Sequence, residues 1–142
     1  MANAFISLKR LLYDDSAWRV EISASNGYFS GVQDFYTEPE DLDALGADFY
    51  KFPHSIQDEV RLELGDRTGK WAYFVLVRAF LFDSVGHAAI EFAVDNNATS
   101  LDHAQTSFFI RTEVSAINNL GQQLQAWVIA HDAPLIWSPH AA

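Results

Sequence analysis

The chain has no cysteine, a single methionine and only four prolines in its 142 residues. Without thiols, disulfides, thiolate zinc sites and cysteine nucleophiles are excluded. Bases are also scarce. Nine Lys and Arg stand against 19 Asp and Glu, giving a formal net charge of −10 and a pI near 4.6. A nucleic-acid backbone asks for a basic surface, so charge alone predicts no nucleic acid and favours a basic protein partner, or no partner and simple solubility. Long apolar runs are missing too. The longest, Trp71 to Phe82, is broken by Arg78 and falls short of the roughly 20 residues of a membrane helix. Residues Met1 to Phe5 carry neither the basic stretch nor the apolar segment of a signal peptide. The expectation is a cytoplasmic protein with no membrane contact.

What is present is a globular composition, 49% hydrophobic and 14% aromatic, and a length suited to one domain over residues 1–142. Phe5 to Leu8 reads as a first strand. Trp18 to Ser25 alternates, with Trp18, Val20, Ile22 and Ala24 on one face and Arg19, Glu21 and Ser23 on the other. Asn26-Gly27 then reads as a two-residue hairpin turn. That register sets Ser25 opposite Tyr28, Trp18 opposite Phe35, and Arg19 opposite Asp34, an opposite-charge pair across the strands.

Thr37-Glu38-Pro39-Glu40 has the form of a capping box, with Pro39 in the first turn where its missing donor costs nothing. Leu42, Leu45, Phe49 and Phe52 recur at helical spacing until Pro53 stops the helix. Glu38, Glu40, Asp41, Asp43 and Asp48 line the other side; acids there favour the helix dipole, and their clustering also offers a contact for a basic partner.

Val60, Leu62 and Leu64 form a half-buried strand whose register the sequence leaves open. Trp71 to Phe82 reads as a central strand. Ser84-Val85-Gly86 suits a three-residue loop with Gly86 left-handed; it sets Phe80 opposite Ile90, Arg78 opposite Phe92, and Asp83 opposite His87. A last strand over Gln105 to Arg111 is followed by a helix opening at Thr112, with the stripe Ile117, Leu120, Leu124, Trp127 and Val128. Gly121 weakens that helix, which a close approach to the sheet would explain. Leu135 to Trp137 should dock on the body, since an apolar triplet in water is unfavourable. Strands followed by a helix occur twice, without an aligned repeat.

No catalytic residues emerge. Gly65-Asp66-Arg67-Thr68-Gly69-Lys70 is one residue short of a phosphate-binding loop and continues with Trp71 where Ser or Thr is needed, so it reads as a hairpin turn. Gly27 to Gly31 is no nucleophile elbow, because strands flank its serine. Asn97-Ala98-Thr99 matches a glycosylation sequon without a secretory context. The five histidines make no local ligand pair, and no metal or cofactor is predicted. Arg78 stands out as a mid-strand cation among Phe74, Leu76, Phe80 and Phe82; it needs a carboxylate, with Glu63 or Glu113 in reach by pattern.

Tyr36-Thr37-Glu38-Pro39-Glu40-Asp41-Leu42, with Leu45, Phe49 and the Phe52-Pro53 stop, resembles the first helix of small bacterial immunity proteins of the WapI type and related families. Asp83 to His87 and the Thr112-Glu113 helix start, with Ile117, Leu120 and Leu124, extend the resemblance over Trp18 to Trp127. It implies a cofactor-free protein that neutralises a toxin. The resulting expectation is an α+β fold: one curved antiparallel sheet of about six strands with two helices packed against it. Its leading function is non-enzymatic inhibition of a basic toxin, with Glu38, Glu40, Asp41, Asp43 and Asp48 at the contact. A second reading is a ligand-binding half-barrel, enzymatic or not, with Trp71, Tyr73, Arg78 and Phe92 lining a pocket. A third is a homo-oligomer built on an apolar sheet face or the Trp137 tail.

Overall fold

The computed structural model describes residues 3–12, 17–68 and 71–140, with backbone alone at Leu12. In chain order it holds β1 (Phe5–Leu12), β2 (Trp18–Ser25), β3 (Ser30–Thr37), α1 (Pro39–Lys51), β4 (Glu59–Gly65), β5 (Phe74–Leu81), β6 (His87–Asp95), a single 3-10 turn (Ser100–Asp102), β7 (Gln105–Glu113), α2 (Val114–Ile129) and β8 (Leu135–Trp137). The expected single sheet is in fact two four-stranded antiparallel sheets, ordered β3-β2-β1-β8 and β4-β5-β6-β7. Gly69 and Lys70, the end of the polar turn before Trp71, lie outside the described residues.

The topology is an internal repeat. A three-strand meander and a helix (β1-β2-β3-α1) are followed by a strand, β4, that joins the other sheet beside β5; β5-β6-β7-α2 is followed by β8, which returns to the first sheet beside β1. Each half lends its last strand to the other. The helices superpose residue by residue in sequence: Gly46 and Gly121 are each the eighth residue of their helix, and the same offset relates Leu42 to Ile117, Leu45 to Leu120 and Phe49 to Leu124. Alternation along each strand sends one set inward. Val20, Ile22 and Phe35 from the first sheet meet Val75, Ile90, Phe92 and Ile110 from the second, with Leu42, Phe49, Ile117 and Leu124 from the helices, in one apolar core.

Both hairpins form, each with a longer loop than expected. In the first, the Asn26 side-chain oxygen accepts from the Tyr28 and Phe29 amides at 2.9 and 2.8 Å, and its own amide bonds the Phe29 carbonyl. Gly27 and Tyr28 therefore occupy the turn, and Ser25 pairs with Ser30. The two-residue shift preserves the faces; Arg19 now lies opposite Tyr36 and reaches Asp34 diagonally at 2.6 Å. In the second, Asp83 accepts from the Val85 and His87 amides, Gly86 takes φ +91°, and the Phe82 amide bonds the His87 carbonyl. The loop has four residues, Asp83 to Gly86, and Arg78 pairs with Glu91 instead of facing Phe92. A slip of one residue inverts the faces, which decides the site below.

The helices also differ in detail. Glu38, not Thr37, caps α1: its carbonyl accepts from the Asp41 and Leu42 amides, and no side chain caps the helix. Thr37 stays in β3. Likewise Thr112 stays in β7, where its hydroxyl donates to the Pro139 carbonyl at 2.8 Å. Gly121 does make a close approach, but to α1 and not to a sheet: a Cβ there would sit on the Gly46 carbonyl oxygen and 2.5 Å from the Tyr50 amide nitrogen. The tail docks as a strand, and Trp137 is fully buried with its indole N–H on the Ala116 carbonyl. Trp137 itself is thus not exposed, whereas its neighbour Ile136 is. Among the described residues no helix is long and apolar enough to cross a membrane.

Candidate nucleic-acid interface

The second sheet has one face in the core and an outward face that is open around Phe82 and Phe109 but buried at Phe74, Leu76 and Ala93. Because Val60, Val77, Ala79, Ile90 and Ile110 point inward, the alternate positions point out. Register arranges them in rows: Glu59, Phe80, Ala89 and Arg111 in one, Arg61, Arg78, Glu91 and Phe109 in the next, and Glu63, Leu76, Ala93 and Ser107 in a third. Ala89 is the small residue among larger ones. Phe80 and Phe109 lean together across it, edge to face, with centroids 5.9 Å apart, and with Phe82 and Arg111 they enclose a shallow depression of about 370 Å³.

Three arginines lie on three phenylalanines along this face. The Arg78 guanidinium sits 4.1 Å from the Phe80 ring centre, that of Arg111 5.4 Å from Phe82, and that of Arg67 4.6 Å from Phe74. The loops hold the outer members in place. Phe82 and His87 flank the β5–β6 loop with their rings nearly parallel, and His87 Nδ1 bonds the Asp83 carboxylate. Burial works against the charge on Asp83, but hydrogen bonds from the His87 ring and from the Val85 and His87 amides outweigh it and lower its pKa. At the far end, the Asn97 side chain donates to the Asp66 and Trp71 carbonyls at 2.8 and 2.9 Å; this clamps the β4–β5 loop that carries Arg67.

Charge is mixed along the face. Arg61 and Arg78 are directly opposed, a repulsive arrangement relieved by carboxylates. Arg61 bonds Glu59 and Glu63, which raise its pKa. Arg78 bonds Glu91 at 2.8 Å and approaches Glu59 at 3.7 Å. These are not the partners that pattern suggested, Glu63 and Glu113. Arg67 and Arg111 make no ion pair among the described residues. On the first sheet, pseudo-equivalent positions carry Lys9 for Arg78, Asp34 for Phe109 and Tyr36 for Arg111, so the ladder of arginine on phenylalanine belongs to the second sheet alone.

The residues predicted to line a pocket are not brought together. Phe92 is buried in the core against Phe108, Arg78 is on the opposite face, Trp71 is exposed in the β4–β5 loop, and the Tyr73 hydroxyl accepts from the Tyr36 amide at 3.1 Å. The one-residue slip at the β5–β6 loop separates Arg78 from Phe92, and among the described residues no half-barrel cavity forms around them. The acids Glu38, Glu40, Asp41, Asp43 and Asp48 are all exposed on α1, with Glu40 and Asp41 in its first turn. Sequence reasoning missed Phe109 and Arg111 because an exposed aromatic on a last strand looks like any half-buried position; the signal was their alternation with the inward Phe108 and Ile110. Among the described residues no three His, Asp or Glu side chains converge as a metal set.

No protein-family signature and no curated protein sequence matches the chain. Solved structures do. WHY3 from Arabidopsis thaliana matches with a TM-score of 0.50 at 9% identity, over 90% of this chain and 82% of its own. The plant transcriptional regulator PBF-2 gives 0.49 at 8%, over 90% and 76%. WHY1 from Arabidopsis thaliana gives 0.44 at 12%, over 94% and 93%. The fold is Whirly-like: α+β, with two four-stranded antiparallel sheets and two helices packed together. This overturns the resemblance to immunity proteins, which rested on helix-start and hairpin patterns that many α+β folds share; the toxin-inhibitor reading goes with it. The exclusion of nucleic acid does not stand either. Net charge is a sum over the whole chain and does not say where the cations lie.

Proposed function

We propose that this protein binds single-stranded nucleic acid on the open face of the second sheet. The observation that carries the reading is the row of exposed Phe82 and Phe109 with half-buried Phe80 between them, flanked by Arg78 and Arg111 on the outward face of the second sheet. Bases stack on such rings regardless of sequence, at about 1–3 kcal/mol per base. A duplex hides its base faces, so the surface selects unpaired strands. At 9% identity the likeness to WHY3 brings the fold and not the activity; the proposal rests on the face itself.

The carboxylates of α1 fit this reading as a repulsive boundary. Glu38, Glu40, Asp41, Asp43 and Asp48 disfavour phosphate on the helical side and leave the sheet face as the approach. Fluorescence anisotropy with a labelled dT oligonucleotide tests the proposal. Phe80→Ala, Phe82→Ala and Phe109→Ala combined should weaken binding at least tenfold, with the far-ultraviolet circular dichroism spectrum unchanged. Equal affinity of the wild type for duplex and single strand, or of wild type and variant for the single strand, sinks it.

A further inference from the structure

On the outward side of β5 beyond Phe80, Leu76 and Phe74 are buried, Phe74 under the Arg67 guanidinium. Phe74 lies eight residues before Phe82, roughly 27 Å at about 3.3 Å per residue. At the Phe74 end, Arg67, Asp95, Gln105, Thr106 and Ser107 surround a recess of about 200 Å³. The geometry points to a guanine-reading subsite here, at the end of the single-strand track; this rests on the binding reading above.

Asp95 is only 5% exposed. Its two hydrogen bonds, from the Asn97 amide and His103 Nε2, both 2.8 Å, fall on Oδ1; Oδ2 accepts none among the described residues. A carboxylate so held is a fixed acceptor. Guanine is the base that offers the free Oδ2 two adjacent donors, N1–H and the N2 amine, which converge on that one oxygen. Adenine and cytosine each place an acceptor nitrogen beside their amine, and thymine sets its one N–H between two carbonyls, so each meets the carboxylate with a repulsive atom. Across the ring guanine presents O6 and N7, the pair that an arginine binds in bidentate fashion. Arg67, which also lines the recess, supplies that group, positioned by its stack on Phe74 and by the Asn97 clamp on its loop. A carboxylate and a guanidinium lining one recess offer partners for the two edges of one purine.

The test uses the full chain and dT tracts that carry one central dG, dA or deoxyinosine. Inosine lacks the N2 amine, so it deletes one bond to Asp95 without touching the protein. The dG tract should bind about fivefold to a hundredfold tighter than the dA tract. The preference should shrink with deoxyinosine and again with Arg67→Gln, an exposed position whose change spares the core. Equal affinity for dG and dA tracts overturns the subsite and leaves the stacking face standing. A dG preference untouched by both deoxyinosine and Arg67→Gln also overturns it. Failure of every tract to bind overturns the binding reading and the subsite together.

Discussion

Gly46 and Gly121 meet backbone to backbone where α1 crosses α2. A Cβ on Gly121 would fall on the Gly46 carbonyl oxygen, 2.5 Å from the Tyr50 amide nitrogen and 3.0 Å from the Phe49 carbonyl carbon; one on Gly46 would meet Gln125 Cγ at 2.7 Å and the Gly121 carbonyl oxygen at 3.0 Å. On an isolated helix, Gly121→Ala would stabilise by about 1 kcal/mol. Here backbone atoms must move, and overpacking costs about 1–3 kcal/mol on top of forfeiting that gain. Gly121→Ala should therefore lower stability in urea unfolding. An increase would show that the two helices separate far enough to admit a methyl group.

That crossing also shows what the sequence made legible and what it hid. Both helices, their apolar stripes and the Pro53 stop follow from spacing and breakers. The repeat was visible only as strands followed twice by a helix, because the loops differ in length. The offset that matches Gly46 to Gly121 also matches Ser30 to Gln105 at the start of the last meander strand, but Ser25 and Asp95 stand at another, so no single shift aligns the halves. The split into two sheets was hidden because β4 and β8 each pair with the half that did not produce them. The site was hidden by one residue in the β5–β6 loop. Asp83 binds two amides beyond it, which makes a four-residue loop where the pattern allowed three and turns Arg78 away from Phe92.

Trp137 ties the short last strand to the second helix. Its side chain is fully buried and its indole N–H lies 2.8 Å from the Ala116 carbonyl oxygen. Trp137→Ala should cost about 3–5 kcal/mol. Trp137→Phe keeps most of the packing and loses the hydrogen bond, so about 1 kcal/mol is expected. Urea unfolding of both variants separates the terms; equal losses would place the whole effect in the hydrogen bond.

Two carboxylates make stability depend on acid. Asp58 accepts from the backbone amide and then the ring of His54, and these bonds lower its pKa; Asp83 is lowered by His87 in the same i, i+4 arrangement. A carboxyl with a lowered folded pKa stabilises above its unfolded value, about 3.9, and that contribution is lost as pH falls through the folded value. The combined variant Asp58→Asn, Asp83→Asn should thus melt below the wild type at pH 6, and the difference should close between about pH 4 and pH 2. A gap that stays constant down to pH 2 would assign the effect to packing instead of ionisation.

Salt separates stacking from charge on the proposed nucleic-acid face. Arg67 and Arg111 have no ion pair among the described residues, and Arg78 is shared with Glu91, so on a dT tract, which offers Arg67 no guanine, two or three cations are available to phosphates. Each contributes a slope of about −0.7 in log affinity against log salt on a single strand, which predicts a total between about −1.4 and −2. Whole-protein attraction cannot add to this, because the net charge of −10 repels the strand at long range. Replacing Glu38, Asp41 and Asp43 with lysine should raise affinity at low salt. The gain should fade once the screening length drops below about 10 Å near 0.1 M, because α1 acts at a distance and touches no phosphate. Anisotropy titrations from low to moderate salt measure both terms. A slope several-fold steeper in the wild type would mean that phosphate contacts, and not the phenylalanine face, carry the binding. A gain in the lysine variant that persists at high salt would place α1 in direct contact with the strand and overturn its assignment as a repulsive boundary.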